Sequence, residues 1–121
     1  MIIHVKTKNI LIIDNFVLKC CVGKKGFNLN KIEGDNSTPK GTFYLKKLYY
    51  RKDRVGIPKC NLPKKIITRN TAWCDDPANK KYKENIFICQ KNNKEIFYRK
   101  DNLYDYLITI SHNDKKIPNK G

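Results

Sequence analysis

Glu33-Gly34-Asp35-Asn36-Ser37-Thr38-Pro39-Lys40-Gly41-Thr42-Phe43 is the run on which the reading of this chain turns. Its first half is crowded with residues that bend a chain. Gly34 tolerates a positive φ, and Asp35, Asn36 and Ser37 can fold their side chains back onto nearby backbone. Its second half straightens, because Pro39 fixes its own φ and holds Ser37 and Thr38 extended. The run thus passes from a loop, through a proline-gated turn, into a strand that Tyr44, Leu45, Leu48, Tyr49 and Tyr50 continue.

Toward the N-terminus, residues 2–6, 9–13 and 16–22 are short runs of Ile, Val, Leu and Phe separated by polar punctuation. Asp14-Asn15 tolerates left-handed backbone, so the first third is predicted to be a β-meander with a hairpin at that pair. Toward the C-terminus, residues 51–76 have no sustained period and carry the turn pairs Ile57-Pro58, Leu62-Pro63 and Asp76-Pro77. They are predicted to form a long ordered loop, of the kind that often carries function. Residues 86–89, 96–98 and 103–111 are further apolar runs, the last rich enough for a central strand that Asn113-Asp114 ends. The fold class is therefore mainly β, with residues 1–121 forming a single domain around one core.

The chain has 26 Lys and Arg against 11 Asp and Glu, a net charge of +15, which raises the question of an anionic partner. Only four of those bases are arginine (Arg51, Arg54, Arg69, Arg99), the residue favoured for bidentate phosphate contacts. The excess of Lys, Asn and Ile is what AT-rich codons give, so the charge is read first as a solubility term and a nucleic-acid partner is not expected. Phe43 to Arg51 interleaves aromatics with Lys, a pattern that also suits stacked bases, but aromatics on a strand more often pack a core. Five cysteines without a C-x-x-C pair argue against a disulfide framework or a zinc site, and no cofactor or metal is expected. The N-terminal apolar alternation is interrupted by Lys6 and Lys8, too early for a signal-peptide core or a membrane span.

Four motifs in one order resemble the YkuD-type L,D-transpeptidase catalytic domain. The opening run is similar to that family's E-G-D-x-x-T-P-x-G-x-F segment. Leu48-Tyr49-Tyr50-Arg51-x-Asp53-Arg54 follows, then Trp73-Cys74-Asp75-Asp76-Pro77 with Tyr82 nearby, then Leu103-Tyr104-Asp105 leading to Asn113-Asp114 and Gly121. The resemblance implies a β-sandwich or barrel-like fold and acyl transfer between peptidoglycan stem peptides, in the periplasm or cell wall. In that family an apolar strand ending in histidine and a Gly-Cys pair carry the chemistry, and these 121 residues contain no Gly-Cys pair. On that reading the domain is incomplete at the C-terminus, the catalytic Cys and His lie beyond Gly121, and the chain alone is inactive. The positions carried over are Glu33, Gly34, Asp35, Thr38, Pro39, Gly41, Phe43, Trp73, Cys74, Asp75, Asp76, Tyr104, Asp105 and Asn113, as structural or cleft-lining residues.

Could a residue present here supply the chemistry instead? Cys74 sits beside Asp75 and Asp76, poor company for a thiolate, and is read as a structural thiol. Trp73 is read as a core plug, Asp75-Asp76 as a turn-forming pair, and Thr38-Pro39-Lys40-Gly41 as a turn that sets strand register. His112 ends a predicted strand, His4 lacks a local partner, and neither occupies the position of the family's histidine. A basic β-domain that binds an anionic polymer without catalysis is the alternative function.

Overall fold

Asp14 turns left-handed at φ 49°, and the chain reverses there between two four-residue strands. The computed structural model describes residues 1–7, 9–76, 78, 80, 85–87 and 94–121. These residues contain strands and turns but no helix. They divide into two compact units, residues 1–41 with 120–121, and residues 42–119.

In the first unit β1 (Ile3–Lys6), β2 (Ile10–Ile13) and β3 (Phe16–Lys19) form the predicted antiparallel meander, with Ile3 opposite Ile13 and Ile13 opposite Phe16. The third strand stops at Lys19 rather than Val22. Cys20 and Cys21 therefore lie past its end, Cys20 partly covered and Cys21 exposed. A second, parallel pair joins β4 (Phe27–Asn28) to β5 (Thr38–Pro39), with residues 29–37 looping between them. The backbone of this loop passes so close to Gly23 that a Cβ there would lie 2.5 Å from the Asn36 carbonyl oxygen. Only glycine fits, and its N–H donates to Thr38 Oγ1 at 2.7 Å.

The second unit contains β6 (Leu45–Tyr50), β7 (Lys64–Ile66), β8 (Thr71–Cys74), β9 (Asn85–Phe87), β10 (Lys94–Ile96) and β11 (Tyr106–Ile110). One sheet has the order β11-β6-β7, antiparallel then parallel, and the other the order β10-β8-β9, antiparallel throughout. None of the described sheets closes into a barrel. Leu48, Tyr49 and Tyr50 are consecutive and all buried, the mark of a strand covered on both faces. Burial pushes the Tyr49 phenol above its ordinary pKa. Tyr49, Ile67 and Phe97 form the core, with Trp73, Tyr98, Tyr104 and Leu107 packed against it.

Three expectations change. Residues 42–44 are not part of a strand: β5 ends at Pro39 and β6 begins at Leu45. The supposed long loop contains β7 and β8. β7 reads as polar because its Lys64 and Lys65 side chains are exposed while its backbone pairs with β6. β11 is an edge strand rather than a central one. Its residues alternate between exposed and half-buried, with Tyr106, Ile108 and Ile110 on the outer face. Pro77, Tyr82 and Cys89 lie outside the described residues.

Candidate functional site

The first-unit motif residues are organised around one carboxylate. Asp35 accepts hydrogen bonds from the Ile32 N–H, Lys31 Nζ, the Ser37 N–H and Oγ, and Asn28 Nδ2, at 2.7 to 3.3 Å. The Ile32 N–H first, and then the Lys31 ammonium, hold the Asp35 carboxyl well below the usual carboxylate range. Around it Glu33 is half-buried and Gly34 takes φ 75° at the loop's tip. Thr38 and Pro39 form β5, and Gly41 is exposed. Thr38 and Pro39, read from the sequence as part of a turn, instead pair in parallel with Phe27 and Asn28.

In the second unit the four arginines gather around residues 98–105. Arg51, 2% exposed, donates through Nε and Nη2 to both oxygens of Asp53 at 2.8 and 2.7 Å, and through Nη1 to the Arg99 carbonyl at 2.9 Å. Its guanidinium lies 3.6 Å from the Tyr98 ring centroid, with Arg69 5.8 Å from the same centroid. Arg51 holds the Asp53 carboxyl well below its ordinary range, and the Tyr98 hydroxyl also donates to that carboxylate, at 3.1 Å. Arg54 donates to the carbonyls of Arg99, Lys100 and Asp101 at 2.6 to 3.0 Å and pairs with Asp105 at 3.2 Å. The planar fork suits this carbonyl clamp in a way a lysine ammonium does not.

That clamp borders a shallow, open depression lined among the described residues by Asp75, Lys94, Glu95, Ile96, Arg99, Lys100 and Asp101. Its lining residue Asp75 directly follows β8. Trp73 stacks on Phe97 with ring centroids 6.4 Å apart, the predicted core plug. Cys74 is fully enclosed opposite Lys94, in a strand rather than a loop. Asp76 Oδ1 accepts the Ala78 N–H at 3.0 Å, the predicted turn geometry. Asp75 differs: its Oδ1 is buried and, alone among buried side-chain polar atoms of the described residues, has no hydrogen-bond partner.

Tyr104 packs on Phe97 at 5.1 Å and donates its hydroxyl to Glu95. Asp105 also receives the Arg51 N–H on its carbonyl. Asn113, at φ 52°, ties the turn after β11 through two hydrogen bonds to the Ile117 backbone. Phe43 meets His112 edge-on at 5.4 Å; His112 does not end the strand but lies in the turn two residues past the end of β11. His4 is exposed in β1. Sequence reasoning missed Glu95, Arg99, Lys100 and Asp101. The scarcity of arginine was the available signal, since a chain that uses Lys almost everywhere has reserved Arg for one place.

A family model for the L,D-transpeptidase catalytic domain, YkuD, matches residues 2–116. The chain belongs to that family. No curated protein and no solved structure matches it. In this L,D-transpeptidase-family chain the match spans every motif position from Glu33 to Asn113. Among the described residues no group of three or more His, Cys, Asp or Glu is placed to hold a metal ion, and no helix is long and apolar enough to cross a membrane.

Proposed function

We propose that this chain contributes the scaffold and substrate cleft of a peptidoglycan L,D-transpeptidase acting at the cell wall or in the periplasm. The carrying observation is the family match over residues 2–116, with four motifs in order. In the reaction a cysteine sulfur bonds to a stem-peptide carbonyl carbon, and the amide bond to the terminal D-residue breaks as that amine takes a proton. An acceptor amine then forms a new amide bond and the thioester C–S bond breaks. Such a thiolate needs a base in hydrogen-bond reach and donors for the oxyanion.

The nucleophile in this reading is none of Cys20, Cys21, Cys60 or Cys74. No carbonyl carbon can approach Cys74, which is 0% exposed, and the other three lie outside the motif segments. The part played by these residues is to shape and charge the cleft. The test incubates the protein with a disaccharide-tetrapeptide and follows the products by mass spectrometry. Cross-linked dimers and released D-residue are expected. Turnover that disappears in Cys74→Ser overturns the reading of Cys74 as structural. No turnover, with salt-sensitive binding to an anionic polymer, overturns the enzyme reading in favour of a basic binding domain.

A further inference from the structure

The charge of this chain is unevenly placed. Residues 54–74 carry Arg54, Lys59, Lys64, Lys65 and Arg69 and no Asp or Glu. In the second unit β6 and β7 run parallel and β11 runs against them, so the starts of β6 and β7 and the finish of β11 lie at one end of the sheet. Three segments meet there. The Tyr44 N–H donates to Ser111 Oγ at 2.9 Å and the Ser111 N–H to the Tyr44 carbonyl at 2.9 Å, which ties the entry to β6 to the turn after β11. The Leu48 N–H donates to the Pro63 carbonyl at 2.9 Å and Lys64 Nζ to the Cys60 carbonyl at 2.6 Å, which brings in the approach to β7. The entry contributes Lys46 and Lys47, the approach Lys59, Lys64 and Lys65, and the turn Lys115 and Lys116, all exposed. Asp114, paired with Lys46 at 3.1 Å, is the single acid in the three segments. At the other end of the sheet the bases are matched, Arg51 by Asp53 and Arg54 by Asp105.

We propose that the lysine end of this sheet binds a phosphodiester polymer of the cell wall. Like charges gathered at one end repel one another, and a chain of phosphates relieves that repulsion while releasing its own counterions. Lysine suits the task, because an ammonium on a flexible stem meets phosphates of irregular spacing without the bidentate fit of arginine. Nucleic acid is the poorer occupant. A single strand binds by stacking successive bases on aromatic side chains. Of the aromatics in residues 43–50, Phe43 is engaged by His112, Tyr49 and Tyr50 are buried, and Tyr44 alone is exposed. The wall location rests on the family reading, whereas the binding chemistry rests on the lysines alone.

The experiment titrates the protein, over a series of salt concentrations, with labelled poly(glycerol phosphate) and with oligothymidylate of equal length. Poly(glycerol phosphate) is expected to bind at least as tightly as the oligonucleotide, with a log–log salt slope of about −3.5, the release from about five phosphate contacts. Lys47→Gln/Lys59→Gln/Lys65→Gln should flatten that slope by about 2 and weaken binding about a hundredfold at about 0.1 M salt. Lys19→Gln/Lys24→Gln/Lys25→Gln removes the same charge from the first unit and should change affinity by less than about threefold, because salt screens distant charges. These side chains are exposed, so both variants are expected to fold. Equal weakening by the two variants overturns the proposal, since net charge alone is then at work. Tighter binding of the oligothymidylate overturns it in favour of a nucleic-acid surface. Transpeptidation without polymer binding overturns this inference and leaves the enzyme reading intact; polymer binding without transpeptidation does the reverse.

Discussion

Asp35 and Asp75 are both aspartates of the family motifs, and they end in opposite circumstances. Asp35 is saturated by Ile32, Lys31, Ser37 and Asn28, so it can accept nothing more. Asp75 presents a buried oxygen that no described group meets. A motif position therefore does not announce its role by residue type. Donors within two to seven residues turn the first carboxylate into a backbone staple. Asp75 stands where β8 runs past its pairing with β10, whose last partner there is Cys74, and no donor is supplied.

The contrast can be broken first at the ground beneath Asp75. Phe97→Ala removes the ring that touches Tyr49, Trp73 and Tyr104, and should cost about 3–5 kcal/mol in chemical denaturation, with loss of the Trp73 signal. Gly23→Ala strikes the Asp35 loop instead. Its Cβ would meet the backbone of Asn36 and Ser37, which cannot swing aside, and about 1–3 kcal/mol of overpacking is expected in the same measurement. Thr38→Val, which removes only the acceptor for the Gly23 N–H, should cost about 1 kcal/mol.

The sharpest comparison is Asp35→Asn against Asp75→Asn. The first should lower the thermal midpoint because an amide cannot accept from five donors. The second should leave the midpoint unchanged or raise it slightly, since it removes a negative charge at a carboxylate whose buried Oδ1 has no donor. Acid titration separates them further. The folded-state pKa of Asp35 is depressed, so its contribution is complete above the unfolded value of about 3.9 and is lost as pH falls toward the folded value. Wild type should lose midpoint through that range, and Asp35→Asn should lose less. A wild-type acid limb that Asp35→Asn leaves unaltered would remove Asp35 from its assigned role.

Much of this was legible in the sequence where the signal is local. The hairpin at Asp14-Asn15, the loop around Gly34 and the turn at Asp76 follow from residues that set their own backbone. β7 was illegible because Lys64-Lys65-Ile66 has no alternation to read. Its place comes from backbone pairing with β6, whose buried Leu48-Tyr49-Tyr50 supplies the apolar face. β11 was read as central because Leu103 to Ile110 is apolar, and apolar content alone cannot distinguish two covered faces from one. The depression was half-legible: Asp75 stood in a recognised motif. The lining stretch Arg99 to Asp101 carries no motif and is fixed by Arg54 from almost fifty residues away.

Consider the order in which β6 meets its neighbours as the chain leaves the ribosome. Lys64–Ile66 follows soon after and can take one edge of β6, but the other edge waits for Tyr106 to pair with Tyr50 and Ile110 with Leu45. Throughout that interval the strand that carries the buried Leu48, Tyr49 and Tyr50 is a half-finished template with open N–H and C=O groups, a form prone to pairing with other chains. Contacts so distant in sequence also close slowly. Yield from cells should therefore depend on translation pace and holding chaperones across residues 51–110 more than on the final stability of the sheet.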